Sequence, residues 1–380
     1  MEGFLLTADQ LRARDGVKWK MYPPDVIPAF VADMDFKVAP AIQNAITTLT
    51  ETRDYGYGQL TDIVSLFEAF SERMDRRYGW RPEPALTQIN TDVVQGLVAN
   101  ITAFSEPGDG LIAQTPVYPP FLKGIANTGR TLIENALVDD GTRFVVDLAA
   151  LEKAAAQASM ILLCNPHNPT GRVFTRAELE GIGTIAAAHD LTIVADEIHS
   201  DLVYPGATHT PMETIARERT VTLTSATKGF NIAGVRTSIA HFGSAALKER
   251  FDTRFPEHLL GRPGRFGVVA TIAAWRESEE WLDEVMLYLD GNRRRVAEWV
   301  AEVELGHHAP EATYLAWLDC RGLELPDGVT PCAHLLDSAK VALSDGAEFG
   351  TPGQGHVRLN FATSAEILEE ILSRLGSVLR

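Results

Sequence analysis

Along the middle of the chain, short apolar runs alternate with longer segments of helical periodicity. The runs fall at 111–116 (LIAQTP), 160–166 (MILLCNP), 191–197 (LTIVADE), 221–227 (VTLTSAT) and 238–243 (SIAHFG). Their apolar parts are continuous rather than alternating, as in strands buried on both faces. Residues 61–78 carry apolar positions at helical spacing, and Arg176–His189 is rich in alanine and acidic residues. Strands separated by helices predict an α/β fold with a mostly parallel central sheet, covered by helices on both sides. Ligands of such sheets bind beyond the carboxyl ends of the strands, so chemistry is expected in the polar residues after each run. Residues 266–303 read as long helices, with Trp275, Trp281, Tyr288 and Trp299 as core aromatics. The last hundred residues mix strands and helices and read as a smaller α+β domain. The division expected is an N-terminal arm (1–45) belonging to the small domain, a large domain (46–280) and a small C-terminal domain (281–380).

Composition narrows the function classes. The 380 residues are 45% hydrophobic and 22% charged, which fits a packed globular chain and argues against disorder. With 34 basic and 51 acidic residues the formal charge is −17. That sign repels phosphate backbones and disfavours nucleic acid as the main partner. Cys164, Cys320 and Cys332 are far apart and form no CxxC, so neither a disulfide framework nor a structural zinc site is expected. The first residues lack the basic-then-apolar layout of a secretory signal, and no stretch of ~18 apolar residues occurs. A cytoplasmic protein with no membrane partner is the expectation.

Four segments carry candidate chemistry. In TLTSATKGFNIAGVR (222–236), Lys228 follows a strand in a Ser/Thr/Gly-rich turn, where a lysine can form a Schiff base with an aldehyde cofactor. Ser225 and Arg236 flank it and both suit phosphate. In VADEIHSDLVY (194–204), Asp196 ends a strand, where a buried carboxylate needs a partner. A protonated pyridine nitrogen, a metal shared with Glu197, His199 and Asp201, or the first turn of a helix all answer that need. The metal reading lacks HExxH spacing. CNPHNPTGRVFT (164–175) makes two turns after a strand and places Asn168 as a donor at the strand end. In TDVVQGLVANITAFSEPGDGLIAQTPVYPPF (91–121), a helix beginning at Gly96 presents backbone N–H groups to an anion. Tyr118 can lay its ring on a planar cofactor. No GxGxxG or GxxxxGK[ST] occurs.

Taken in order, GLV, PVYPPF, NPHNPTG, ADEIHSDL, SATKGFNIAGVR and VRLNFAT resemble fold-type I pyridoxal-phosphate enzymes, the aspartate aminotransferase superfamily. VADMDF (31–36), YGYG (55–58) and DEIHSDLVYPG are similar, more narrowly, to the MalY/PatB branch of cystathionine β-lyases. The resemblance spans nearly the whole chain. It implies pyridoxal 5′-phosphate bound covalently to Lys228, with Asp196 on the pyridine nitrogen, Asn168 donating to the 3′-oxygen and Tyr118 stacked on the ring. It implies phosphate ligands at Ser225, Arg236 and the backbone N–H groups of Leu97 and Val98. Tyr57 matches a tyrosine that reaches the phosphate of a neighbouring subunit, which implies a homodimer with shared active sites. Arg358 matches the arginine that holds the substrate α-carboxylate. His199 stands where aminotransferases commonly carry a tyrosine bonded to the 3′-oxygen, and it leans toward the lyase branch. VADEIH replaces the frequent SDEIH, and ATK replaces ASK.

The function implied is cleavage of the Cβ–S bond of an amino-acid thioether to a thiol, pyruvate and ammonia. An aminotransferase on the same site is the runner-up. A purely binding or regulatory protein is disfavoured by the intact Lys228, Asp196 and Arg358, and no metal site is expected.

Overall fold

The computed structural model describes residues 3–256 and 259–379. Its central sheet has seven strands: β1 (Thr87–Asn90), β2 (Gly110–Ala113), β3 (Thr131–Glu134), β4 (Met160–Cys164), β5 (Thr192–Asp196), β6 (Thr220–Thr224) and β7 (Ser238–Phe242). They lie in the order β1-β7-β6-β5-β4-β2-β3. All pairings are parallel except the two made by β7, which runs antiparallel to both β1 and β6. Strand direction has no signature in an apolar run, and the reversal of β7 is visible only in the register. Every residue of β4 to β7 is buried, which is why these strands read as continuous apolar segments. Cys164 lies opposite Asp196, and Asp196 opposite Leu223, so three carboxyl ends open at one level.

The helices follow local signals. Helix α1 (Leu60–Tyr78) ends at Gly79, whose φ of 63° closes the last turn without steric cost. Helix α2 (Val93–Phe104) is capped by Asp92, whose carboxylate accepts the Gln95 N–H. Helix α3 (Pro119–Asn127) starts with two prolines, and α4 (Arg176–Ala188) has a Thr175/Glu178 capping box. Two long helices follow, α5 (Arg265–Glu277) and α6 (Glu279–Glu302). They bury Trp275, Trp281 and Trp299, as their helical spacing predicts. Tyr288 is half-buried, and its hydroxyl accepts the Ala365 N–H at 2.7 Å.

A second sheet is antiparallel throughout, with β8 (Gly306–His307), β9 (Leu315–Asp319), β10 (Ser344–Asp345) and β11 (His356–Asn360) in the order β8-β9-β11-β10. The N-terminal arm runs between the sheets. Ile27–Pro28 pairs in parallel with Val341–Ala342. Asn360 donates to the carbonyls of Val31 (2.5 Å) and Asp33 (2.7 Å). From the other side Asn231, after β6, accepts the Met34 N–H and donates to the carbonyls of Met34 and Phe36, all at 3.0 Å. One apolar core joins Phe4 and Phe36 of the arm to α1, α5, α6 and the second sheet, and two others pack the faces of the central sheet.

Candidate active site

The turn after β6 is set by Ser225. Its hydroxyl donates to the Thr237 carbonyl (2.5 Å), lies 2.9 Å from Thr227 Oγ1 and accepts the Thr227 N–H (3.1 Å). Lys228 then points back across the strand ends. Its Nζ donates to the Ala32 carbonyl at 2.7 Å, and the Tyr314 hydroxyl donates to the same oxygen at 2.8 Å. Desolvation lowers the proton affinity of this amine, with Arg358 acting in the same direction and Asp33 and Asp196 opposing it.

Asp196 ends β5 beside it. Among the described residues its carboxylate accepts one hydrogen bond, from Ile198 N–H at 3.0 Å. Burial raises its pKa to about 7. The acidic neighbours diverge. Glu197 accepts from His209 (3.0 Å) and Met212 N–H (2.8 Å), and Asp201 accepts two bonds from Arg73 (3.1 and 2.8 Å). Asp196, Glu197, His199 and Asp201 therefore do not share a centre. His199 is buried, and burial pushes its pKa down to about 3. Its ring is neutral at ordinary pH, and among the described residues Nδ1 has no hydrogen-bond partner.

Arg358 enters from the middle of β11. Nη1 donates to Asn168 Oδ1 (2.9 Å), and Nη2 donates to the Phe30 carbonyl (2.9 Å) and Ser344 Oγ (3.0 Å). Nε is buried and unpartnered, and among the described residues no carboxylate pairs with the guanidinium. Its pKa falls to about 10 through desolvation. A buried guanidinium with spare donor capacity fits an incoming carboxylate. Tyr118 precedes α3, and its N–H donates to the Asn168 carbonyl at 3.1 Å. Lys228, Asp196, Asn168, His199 and Tyr118 line one cavity of about 160 Å³, roofed by Ala32.

The opening of α2 corrects one expectation. The helix starts at Val93, three residues before Gly96, so the N–H groups of Leu97 and Val98 lie in its second turn, within the backbone ladder. The Gln95 N–H is taken by Asp92, which leaves those of Val93 and Val94 as the first-turn donors beside the cavity. Gly96 serves packing instead, since a Cβ there would meet Asn90 Nδ2 at 3.2 Å and Leu223 Cδ2 at 3.3 Å. The start was encoded in Asp92 and Gln95, an N-cap residue followed three positions later by a glutamine. Arg236 reaches the same end of the cavity and is bonded to Asp92. Tyr57 is fully exposed on the loop before α1 and lines no part of this cavity. Ala32, Asn231 and Tyr314 had no local sequence signal, because they act through backbone carbonyls of a distant arm.

Among the described residues, an amine held by a carbonyl, a buried carboxyl with one donor and an imidazole with an unpartnered nitrogen line one cavity, and an arginine that pairs with no carboxylate is bonded to Asn168 on its wall. Together they fit pyridoxal phosphate and an amino acid. The chain belongs to the aminotransferase class I and II family, whose model matches residues 31–375. Among its relatives, cystathionine beta-lyase from Corynebacterium glutamicum is 36% identical, covering 98% of each chain. Cystathionine beta-lyase PatB from Bacillus subtilis is 34% identical over 93% of each. The crystal structure of cystalysin from Treponema denticola, which contains pyridoxal 5′-phosphate, superposes with a TM-score of 0.91 at 29% identity, covering 99% of this chain and 98% of that one.

Proposed function

We propose that the protein is a pyridoxal-phosphate-dependent C–S β-lyase of the cystathionine β-lyase type, releasing a thiol, pyruvate and ammonia from an L-amino-acid thioether. The observation that carries this reading is the unpaired Arg358 fork beside the Lys228 amine and the Asp196 carboxyl, in a chain similar end to end to relatives named cystathionine beta-lyase.

When bound, the cofactor supplies an electron-withdrawing ring that stabilises charge developing at the substrate Cα. The chain supplies position and proton transfer. Arg358, whose buried Nε has no partner among the described residues, takes the α-carboxylate, and the bonds of its Nη2 to the Phe30 carbonyl and Ser344 keep the guanidinium from rotating. Asn168 is aimed by its own bond to Arg358, so the carboxylate seat and the 3′-oxygen seat are mechanically linked. Asp196 holds a positive ring nitrogen, which is the partner its buried carboxyl lacks. Tyr118 covers the ring face. The first-turn N–H groups of Val93 and Val94, with Ser225 and Arg236, form the phosphate seat at a helix N-terminus. Lys228, with its proton affinity lowered by burial, removes the proton from Cα. Tyr57 completes the phosphate seat of a second copy, so the functional unit is a homodimer.

The test is turnover of L-cystathionine without a keto acid, following pyruvate and free thiol. Appearance of both supports the lyase. Amino-group transfer that needs a keto-acid acceptor, with no pyruvate from cystathionine, establishes the aminotransferase instead.

A further inference from the structure

The arm contains two aspartates of opposite character. Asp35 is buried and satisfied: Lys18 Nζ lies 2.9 Å from its carboxylate, and the Trp19 indole N–H donates at 2.7 Å. Asp33 is half-buried, and its carboxylate makes no hydrogen bond or ion pair among the described residues. Its backbone, by contrast, is fixed on several sides. The Asp33 carbonyl accepts from Lys18 Nζ (3.0 Å) and Asn360 (2.7 Å), its N–H donates to the Val31 carbonyl (2.9 Å), and the next N–H is held by Asn231.

That backbone places Asp33 one peptide from the Ala32 carbonyl, itself 2.7 Å from Lys228 Nζ. Asp33 lines two clefts that adjoin the cavity, one sharing Asp92, Val94, Ala233 and Arg236 with it and the other sharing Ala233. Its charge reaches Lys228, Tyr118 and Tyr314. Two nearby cations are engaged elsewhere, Lys18 with Asp35 and Arg236 with Asp92. A restrained, partly desolvated carboxylate without a partner is prepared for an incoming cation.

We infer that Asp33 is a specificity-determining residue that receives the distal ammonium of a thioether carrying an amino acid at each end. The inference rests on the lyase reading. The reacting half of such a substrate is fixed by Arg358 and Lys228. Its second half extends from the sulfur into the clefts that Asp33 lines.

The measurement is kcat/KM for pyruvate release from L-cystathionine and from S-methyl-L-cysteine, which has no distal ammonium. Asp33→Asn is expected to lower kcat/KM on cystathionine about tenfold, mainly through KM, and to change S-methylcysteine less than about twofold. Equal losses on both substrates would mean that the carboxylate acts through Lys228, and no loss on either would mean that it touches no substrate. Both results overturn the proposal. A substrate-side comparison does not depend on the variant folding: S-(3-carboxypropyl)-L-cysteine lacks only the distal amine. The native protein is expected to prefer cystathionine over it by about tenfold, and equal use overturns the assignment. If the native protein releases pyruvate from none of the three, the lyase reading itself fails.

Discussion

At Asp196 a carboxyl group is buried at the end of a strand with one hydrogen-bond donor, and its pKa rises from 3.8 to about 7. The folded chain therefore keeps a proton there that the unfolded chain releases near pH 4. Stability from this group is fully present below pH 4 and is lost as pH rises through 7, a loss of the order of 4 kcal/mol. Cofactor-free Asp196→Asn protein should thus be more stable than the native apoprotein at pH 8, and no different below pH 4. Urea unfolding at the two pH values checks this, and a difference independent of pH would count against it. Lys228→Ala should lose essentially all turnover together with the visible absorbance of the covalently held cofactor; retained turnover would dismiss the role given to Lys228. Arg358→Lys keeps the charge but loses the fork, so KM for the amino acid should rise at least tenfold while kcat changes less. Steady-state kinetics separate the two.

The elements hold these groups through close backbone contacts. Gly267, on α5, packs so tightly that a Cβ would lie 2.1 Å from Thr237 Oγ1 and 2.5 Å from the Val235 carbonyl. Those residues flank Arg236, whose backbone is left-handed with φ of 49°. Gly267→Ala should push α5 away from this turn, cost about 2 kcal/mol in urea unfolding, and speed cofactor loss on dialysis. Unchanged stability would show that the helix yields freely. Much of this level was legible in the sequence. Apolar runs located β2 and β4 to β7 to within a few residues, because burial on both faces leaves a continuous pattern. Once a strand end is known, Lys228, Asp196 and Asn168 identify themselves as polar residues at the sheet's carboxyl edge. The start of α2 was harder. VVQGLV is mostly apolar on both sides of Gly96, and the true start at Val93 is marked only by the Asp92–Gln95 capping pair. The hold of Ala32 on Lys228 was not legible at all, since a carbonyl oxygen belongs to every residue type.

At the scale of the whole molecule, the proposed homodimer makes a complementation prediction. Lys228→Ala and Tyr57→Phe damage different subunits' contributions to one site. A mixture of the two chains, unfolded and refolded together, should therefore exceed the summed activity of the separate variants, approaching about a quarter of native if each single variant is inactive. No gain over the sum would place Tyr57 outside its neighbour's site. Exposed Tyr57 and Leu60, beside the 261–266 segment, give that contact an apolar surface. The arm adds a constraint in time. The arm is held by Asn231 at Met34 and Phe36 and by Asn360 at Val31 and Asp33, both far downstream of it in the sequence, and Arg358 lies two residues before Asn360. During synthesis, the lysine turn and its strand can form long before residue 360 leaves the ribosome. The roof and the carboxylate seat cannot. A nascent chain can thus enclose the cofactor's phosphate end while it is still unable to grip an amino acid, and the ability to discriminate substrates is the last property the growing polypeptide acquires.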